Sequence, residues 1–516
     1  MPIYNLAVAL HLEGEIEPDH FHKAFRVLVD SSDALRAVVE ENDGIPMQRV
    51  LPEAPAALEF LDFSHQPDAE RRAKNCMEER CRIPLDWRRA LYDSLLIKIA
   101  PQCSVWYLNA HHMICDGFSF ELIYRQMSEL YRASIEGRLP QHAELPAFAD
   151  YQAYERAYRD SSRHRKTEAY WAEVLAKPGE IVNYYGKLPL RVTSRVRRIS
   201  QELGSERTKK LKAAAAAIAG GSEPSALFDV FAAVLVSYLY CLNGSETYTI
   251  GVPFHNRRSQ SSKQTIGFFS EVLPVRVTLA EDESFASLAK KFSAEVRRTL
   301  RYGQHSVTNP FFKRLYEVTL NYHTRSFSEF AGIPARPEWV HNGHGDESLG
   351  IQIRDFGSSN SLVVDFDLHE GIFDEQDGAR VVDHFFRVLD AFLIDSGQAL
   401  RRLSLTSPQE TQRLLMEWNT PSTEQAMQPC VHRLFEEQAR EQPDAVAVLQ
   451  ADERLTYGDL NRRANVLAQL LRARDVGPQT PIGVYLSRSP EMIIAMLGVL
   501  KAGAAYVPID PQYSSE

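Results

Sequence analysis

The chain has 516 residues, 44% hydrophobic and 24% charged, with 58 Lys plus Arg against 68 Asp plus Glu for a net charge of -10. This balance excludes a disordered chain and speaks against nucleic acid or an anionic membrane surface as partner, and the length predicts two to four compact units. Cys76, Cys81, Cys103, Cys115, Cys241 and Cys430 show neither zinc-ligand spacing nor a disulfide framework, which points to a reducing, cytoplasmic compartment.

The segment Tyr4 to Leu12 alternates like a strand, and no basic, apolar leader precedes it. From Asp19 to Glu40 the residues Phe21, Ala24, Phe25, Leu28 and Val29 fall at helical spacing. Leu91 to Ala100 and Val105 to Ala110 are apolar runs split by Pro101-Gln102-Cys103-Ser104, the pattern of paired strands. A helix follows over Phe118 to Ala133, with Ser119 as its predicted N-cap. Phe148 to Ala176 reads as one helix stopped by Pro178-Gly179.

Glu180 to Val196 carries turn and strand residues and is placed to cross between two lobes. The second half then opens with a helix around Ala213 to Ala217. Ser225 to Leu242 is apolar but contains Asp229 and falls short of the ~20 residues that span a bilayer, so it predicts a buried helix. Gly220-Gly221-Ser222 before it reads as a helix end and turn. Strands are predicted over Thr247 to Val252, Val272 to Leu279 and Leu362 to Leu368, and a helix over Glu375 to Ile394. The alternation implies mixed α/β layers. After the polar stretch Trp418 to Pro429, a new unit starts near Val431. It reads as a helix through Leu434, Phe435 and Ala439, a strand over Ala445 to Leu449 and a helix over Tyr457 to Arg472. A strand over Pro481 to Leu486, a helix over Pro490 to Ala502 and a strand over Ala504 to Pro508 follow.

The most informative segment is Asn109-Ala110-His111-His112-Met113-Ile114-Cys115-Asp116-Gly117-Phe118-Ser119. Neighbouring strand residues point to opposite faces, so only one of His111 and His112 faces a given cavity. Asp116 stands at the strand-to-helix turn. Gly117 frees that turn and removes a side chain, so that a substrate arm can pass the backbone. No third ligand with suitable spacing accompanies the two histidines, so no metal is expected.

With its flanking motifs, this segment resembles the condensation domain of nonribosomal peptide synthetases, in the chloramphenicol-acetyltransferase-like superfamily. The resemblance covers about residues 1–420. Ser31-Ser32-Asp33-Ala34-Leu35-Arg36 stands where the family has Arg-His-Glu-x-Leu-Arg. Asp150-Tyr151-Gln152-Ala153-Tyr154 resembles Asp-Tyr-Ala-x-Trp. Ile266-Gly267-Phe268-Phe269-Ser270-Glu271-Val272-Leu273-Pro274-Val275-Arg276 resembles Ile-Gly-x-Phe-Val-Asn-Thr-x-x-x-Arg, with Glu271 in place of Asn. Gln304 to Phe311 is a looser match, and Phe373-Asp374 and Trp418-Asn419-Thr420 fit the end of the domain. Leu455-Thr456-Tyr457-Gly458-Asp459-Leu460 and Leu500-Lys501-Ala502-Gly503-Ala504-Ala505-Tyr506-Val507-Pro508-Ile509-Asp510 resemble the first two core motifs of adenylation domains.

The resemblance implies an α/β (α+β) fold. Two chloramphenicol-acetyltransferase-like lobes would form a V around a central tunnel, followed by a partial adenylation N-terminal subdomain. The implied spans are 1–175 for the N-lobe without the family's first helix, 176–418 for the C-lobe, 419–430 for a linker and 431–516 for the start of the adenylation domain. It implies amide formation between a carrier-tethered acyl or peptidyl thioester and a carrier-tethered aminoacyl acceptor. The phosphopantetheine arms of donor and acceptor carrier domains then act as substrates rather than as a bound cofactor, and the rest of a synthetase module is a further partner. His112 matches the reacting histidine, with His111, Asp116, Gly117 and Ser119 as its supporting motif and Gly267, Phe269 and Glu271 as tunnel candidates. Asp116 is expected to pair with Arg276 or, second, with Arg36. A coenzyme A-dependent acyltransferase and a catalytically incomplete docking piece are the alternatives. The adenylation segment lacks the Gly/Ser/Thr-rich ATP loop, so no adenylation is expected of it.

Overall fold

The computed structural model describes residues 2–176, 181–189, 192–218, 222–303, 315–324, 327–355, 361–417, 419, 430–451 and 453–512. The predictions on Pro178-Gly179, Gly220-Gly221, Gln304 to Phe311 and most of Trp418 to Pro429 lie outside these residues. The chain divides into two compact units, Met1–Pro408 and Gln409–Glu516.

The first unit starts with β1 (Asn5–Leu12), α1 (Pro18–Ser31), β2 (Ala37–Asn42), β3 (Ile45–Val50) and β4 (Glu59–Asp62). It continues with α2 (Ala69–Cys81), β5 (Tyr92–Ala100), β6 (Cys103–His111), α3 (Gly117–Ile135), α4 (Phe148–Arg159) and α5 (Ser162–Leu175). The predicted helix over Asp19 to Glu40 therefore stops at Ser31. Asp43 and Gly44 both adopt positive φ, which turns β2 back on β3 as a tight hairpin. The predicted helix over Phe148 to Ala176 is two helices, broken where Ser161 caps the second by accepting from the His164 N–H.

The second half holds β7 (Val196–Glu202), α6 (Ser205–Ile218), α7 (Glu223–Asn243), β8 (Thr247–Phe254), β9 (Glu271–Thr278), α8 (Phe285–Arg301) and β10 (Val318–His323). Then come β11 (Glu329–Phe330), β12 (Ile333–Val340), β13 (Leu349–Arg354), β14 (Val363–His369) and α9 (Glu375–Ile394). Two six-stranded sheets result, ordered β11-β12-β1-β6-β5-β4 and β7-β14-β13-β10-β8-β9. β11 and β12 come from the second half of the chain but extend the first sheet, with Ala7 opposite Val340 and Val8 opposite Trp339. The boundary expected at residue 176 is crossed by this return.

Strand alternation assigns the core. Val8, Leu10, Trp106 and Leu108 pack with Phe21, Phe25, Ile123 and Met127 of α1 and α3. Ala7, Ala9, Leu95 and Tyr107 face Ala73, Met77 and Cys81 of α2 on the other side. In the second sheet, Ile250, Val275, Leu320, Ile351 and Phe366 pack against α7, α8 and α9. α7 is long and apolar enough to cross a membrane by composition, yet 72% of its apolar window is buried in this core. The second unit contains α10 (Pro408–Gln412, reaching back to the unit boundary), α11 (Val431–Glu441), β15 (Val446–Gln450), β16 (Glu453–Thr456), α12 (Tyr457–Arg472), β17 (Pro481–Tyr485), α13 (Pro490–Ala502) and β18 (Ala505–Ile509). Its Lys501 ammonium is buried and held by Glu436, Asn461 and Asn465.

Candidate active site

The histidine motif lies where β6 ends. The His111 N–H still bonds to the first unit's ladder, to the Leu91 carbonyl at 2.8 Å, and the His112 N–H donates to the Tyr4 carbonyl at 2.8 Å. The two rings then part. The His111 ring packs near Tyr4, and its Nδ1 accepts from the Met113 N–H at 3.1 Å. Burial and the neighbouring His112 pull its pKa down to about 4. The His112 ring meets Phe268 edge to face, with centroids 4.8 Å apart. His112 Nδ1 is sealed from solvent without a well-formed hydrogen bond, while the residue as a whole is half-buried. Burial lowers the His112 pKa below the ordinary imidazole value; the Asp116 charge and backbone contacts at His112 and Cys115 offset part of that. The ring is therefore neutral near pH 7 and able to take a proton.

Asp116 caps α3, because its carboxylate accepts from the Ser119 N–H at 2.8 Å. That replaces Ser119 as the expected cap; Ser119 sits one turn in. The same carboxylate ties the two halves of the unit together. Oδ1 also accepts from Ser119 Oγ at 2.9 Å and from Arg257 Nη2 at 2.9 Å, while Oδ2 accepts from the Phe269 and Ser270 N–H groups at 3.0 and 3.2 Å. The side chains of Arg257 and Asp116 are 0% and 1% exposed.

The expected partners Arg276 and Arg36 are placed elsewhere. Arg276 Nε donates to Thr249 Oγ1 across the β8–β9 ladder, and Arg36 donates to the Leu51 carbonyl. Arg276 lies mid-strand on β9, six residues past the Ser270 contact to Asp116, whereas Arg257 lies on the loop after β8 that folds back over α3. Arg257 further donates to Ser119 Oγ and to the carbonyls of Ser262, Thr265 and Gly267, and its guanidinium stacks 4.0 Å from the Phe269 ring centroid. Sequence reasoning missed it; the available signal was two adjacent arginines directly after the β8 strand.

Gly117 is exposed, does not need positive φ, and a Cβ there would lie 3.6 Å from the Trp339 ring, an ordinary contact. Space rather than backbone freedom is what this glycine provides. Gly267 is buried, and a Cβ there would come within 2.2 Å of Phe148. Its carbonyl lies 2.7 Å from Ser119 Oγ and shares that hydroxyl's single proton with Asp116 Oδ1. Phe269 is fully buried against Tyr151 and Phe148. Of the three tunnel candidates, Gly267 and Phe269 pack against Phe148, and the half-buried ring that faces His112 is Phe268. Glu271 is buried with neither carboxyl oxygen hydrogen-bonded. Burial, with Glu155 adding repulsion, pushes its pKa up to about 9. Among the described residues no three His, Cys, Asp or Glu side chains converge as a metal ion would need.

A family model for the condensation domain matches residues 2–415, and one for AMP-binding enzymes matches residues 435–516. The chain is 28% identical to a dimodular nonribosomal peptide synthase of Bacillus subtilis over its whole length, which is 22% of that relative. It is 27% identical to tyrocidine synthase 3 of Brevibacillus parabrevis, over 99% of this chain and 8% of the relative. Less than a quarter of either relative is therefore spanned. Among solved structures, the first condensation domain of the calcium-dependent antibiotic synthetase, in complex with a substrate analogue, superposes with a TM-score of 0.69. It shares 23% identity and covers 79% of this chain and 94% of that one. A starter condensation domain of rhizomide synthetase in complex with C8-CoA gives a TM-score of 0.69 at 24% identity, covering 78% and 92%.

Proposed function

Because the chain belongs to the condensation-domain family, with an AMP-binding segment after it, we propose that it joins a carrier-tethered acyl or peptidyl thioester to a carrier-tethered aminoacyl group. The amine nitrogen of the acceptor attacks the donor carbonyl carbon. The C–N bond forms, the C–S bond breaks, and the donor arm leaves as a thiol after taking up a proton. The acceptor attacks as its neutral amine, and the nitrogen then loses one proton, which His112 Nε2 receives. The single observation that carries this reading is the half-buried His112 ring with Nδ1 sealed and a pKa lowered by burial, which leaves a neutral imidazole whose other nitrogen, Nε2, is free of that seal.

Asp116 is not a proton relay in this scheme. Its oxygens are taken by five donors from Ser119, Arg257, Phe269 and Ser270. It holds the histidine loop of the first sheet against the Phe268 segment of the second half, and His111 braces that loop from the other side. Positioning of two bound chains supplies much of the acceleration, because the donor is already an activated thioester. Two phosphopantetheine arms, one from a donor and one from an acceptor carrier domain, enter between the two halves and pass the open backbone at Gly117. Six free cysteines support a reducing, cytoplasmic setting.

The test supplies loaded donor and acceptor carrier proteins and follows the amide by mass spectrometry. Wild type is expected to form it and His112→Ala to lose ~10²–10⁴-fold in rate. Equal product from His112→Ala removes the proton-accepting role. Acyl transfer from free coenzyme A to a soluble amine, with none between carriers, replaces the reading by the coenzyme A reaction.

A further inference from the structure

Glu271 opens β9, directly after Ser270, whose N–H binds Asp116. It is three residues from Phe268, the ring against His112, so at most about 10 Å of chain separates them. The residue is 4% exposed, and both carboxyl oxygens are buried without a hydrogen-bond partner. An orphaned buried carboxyl is costly and persists where something else is gained. The ionisable groups in electrostatic reach are Glu155 and Tyr151 of α4 and Arg258 of the loop after β8. Glu155 repels a second negative charge. Arg258 is exposed and donates to the Leu300 carbonyl at 3.0 Å; its charge acts on Glu271 but less than burial and Glu155 do, and neither carboxyl oxygen of Glu271 is hydrogen-bonded. A cation that carries N–H donors would favour the ionised form of Glu271 and offset the repulsion from Glu155. A hydroxyl or amide satisfies an oxygen but not the field.

We propose that Glu271 is a specificity-determining residue of this site and holds an ammonium group carried by one of the two reacting chains. The inference rests on the tethered-substrate reading above. Two sources have this chemistry, the α-ammonium of the acceptor and a basic side chain on either chain. Tyr151, over the Phe269 ring, and Ser270, next to Glu271, are the half-buried neighbours of this carboxyl.

The test measures binding to the whole chain of three pantetheine conjugates with a stable amide in place of the thioester. Norleucyl-pantetheine carries only an α-ammonium, N-acetyl-lysyl-pantetheine only a side-chain ammonium, and N-acetyl-norleucyl-pantetheine neither. At least one ammonium probe is expected to bind wild type roughly tenfold or more tighter than the neutral probe, the factor a charge-assisted buried hydrogen bond confers. The probe that does so identifies the source. In Glu271→Gln, checked by its melting curve to be folded, that ratio falls to about twofold or less. No ammonium preference in wild type, or the same preference in Glu271→Gln, overturns the proposal. If the neutral probe also fails to bind, the tethered-arm reading falls on its own. The proposal is then decided by n-butylammonium chloride against equal sodium chloride, which must raise the melting temperature of wild type more than that of Glu271→Gln; equal shifts overturn it.

Discussion

Replacing Arg257 by Leu tests whether one buried ion pair joins the two halves of the first unit. The guanidinium donates to Asp116, to Ser119 Oγ and to three carbonyls, those of Ser262, Thr265 and Gly267. With Leu there, Asp116 keeps its contacts to Ser119, Phe269 and Ser270, and the Gly267 carbonyl keeps Ser119 Oγ. The Ser262 and Thr265 carbonyls lose a charged donor, at ~1–3 kcal/mol each, and Asp116 loses its buried countercharge. Breaking a buried pair from one side costs about 3–5 kcal/mol, and the four remaining donors on Asp116 place this case toward the lower end. The assay is urea denaturation of wild type, Arg257→Leu, Asp116→Asn and the double variant, read on the transition of the first unit. Coupling between the two sites is expected at ~2 kcal/mol. A coupling below ~0.5 kcal/mol refutes the argument, because independent sites add within that margin.

Three further outcomes follow from the same geometry. Glu271 has its folded pKa raised to about 9 from 4.5. Between those values the native state keeps a proton that the unfolded chain has released, so stability falls as pH rises through the window, by up to ~3 kcal/mol at pH 7. Glu271→Gln flattens that slope and is more stable at pH 8; parallel stability curves for the two proteins between pH 5 and 9 disprove the assignment. Because burial lowers the His112 pKa, the acid limb of kcat/KM is expected below pH 6.5. A midpoint above 6.5 assigns that limb to another group. Gly267→Ala drives a methyl into Phe148 and costs ~1–3 kcal/mol, whereas Gly117→Ala meets only an ordinary contact with Trp339 and stays within ~0.5 kcal/mol. Melting curves separate the two, and the Gly117 variant is expected to show its loss in amide formation instead.

Local signals located most of the regular structure. The helices over Glu375–Ile394, Tyr457–Arg472 and Pro490–Ala502 have the bounds that apolar spacing and capping residues predict. The helix expected to reach Glu40 ends at Ser31, close to Val29 where the helical spacing stops, and Ala37–Asn42 pairs instead as one arm of the hairpin turned at Asp43-Gly44. β12 had no such signal. Its burial pattern lacks clean alternation, since it returns from the second half to lie beside β1, and pairing over more than 320 residues leaves no local trace.

The histidine motif, its opposed ring directions and the structural role of Asp116 were decided by the sequence itself, because the alternation of strand side chains and the capping preference of a carboxylate are local physics. The partner of that carboxylate was decided only by the tertiary structure. Three arginines matched the charge, and chain folding, not composition, set which one reached a fully buried site. The same holds for Phe268 rather than Phe269 facing His112. Adjacent residues on one loop share every local property, and the packing of Phe148 and Tyr151 determines which ring is turned inward.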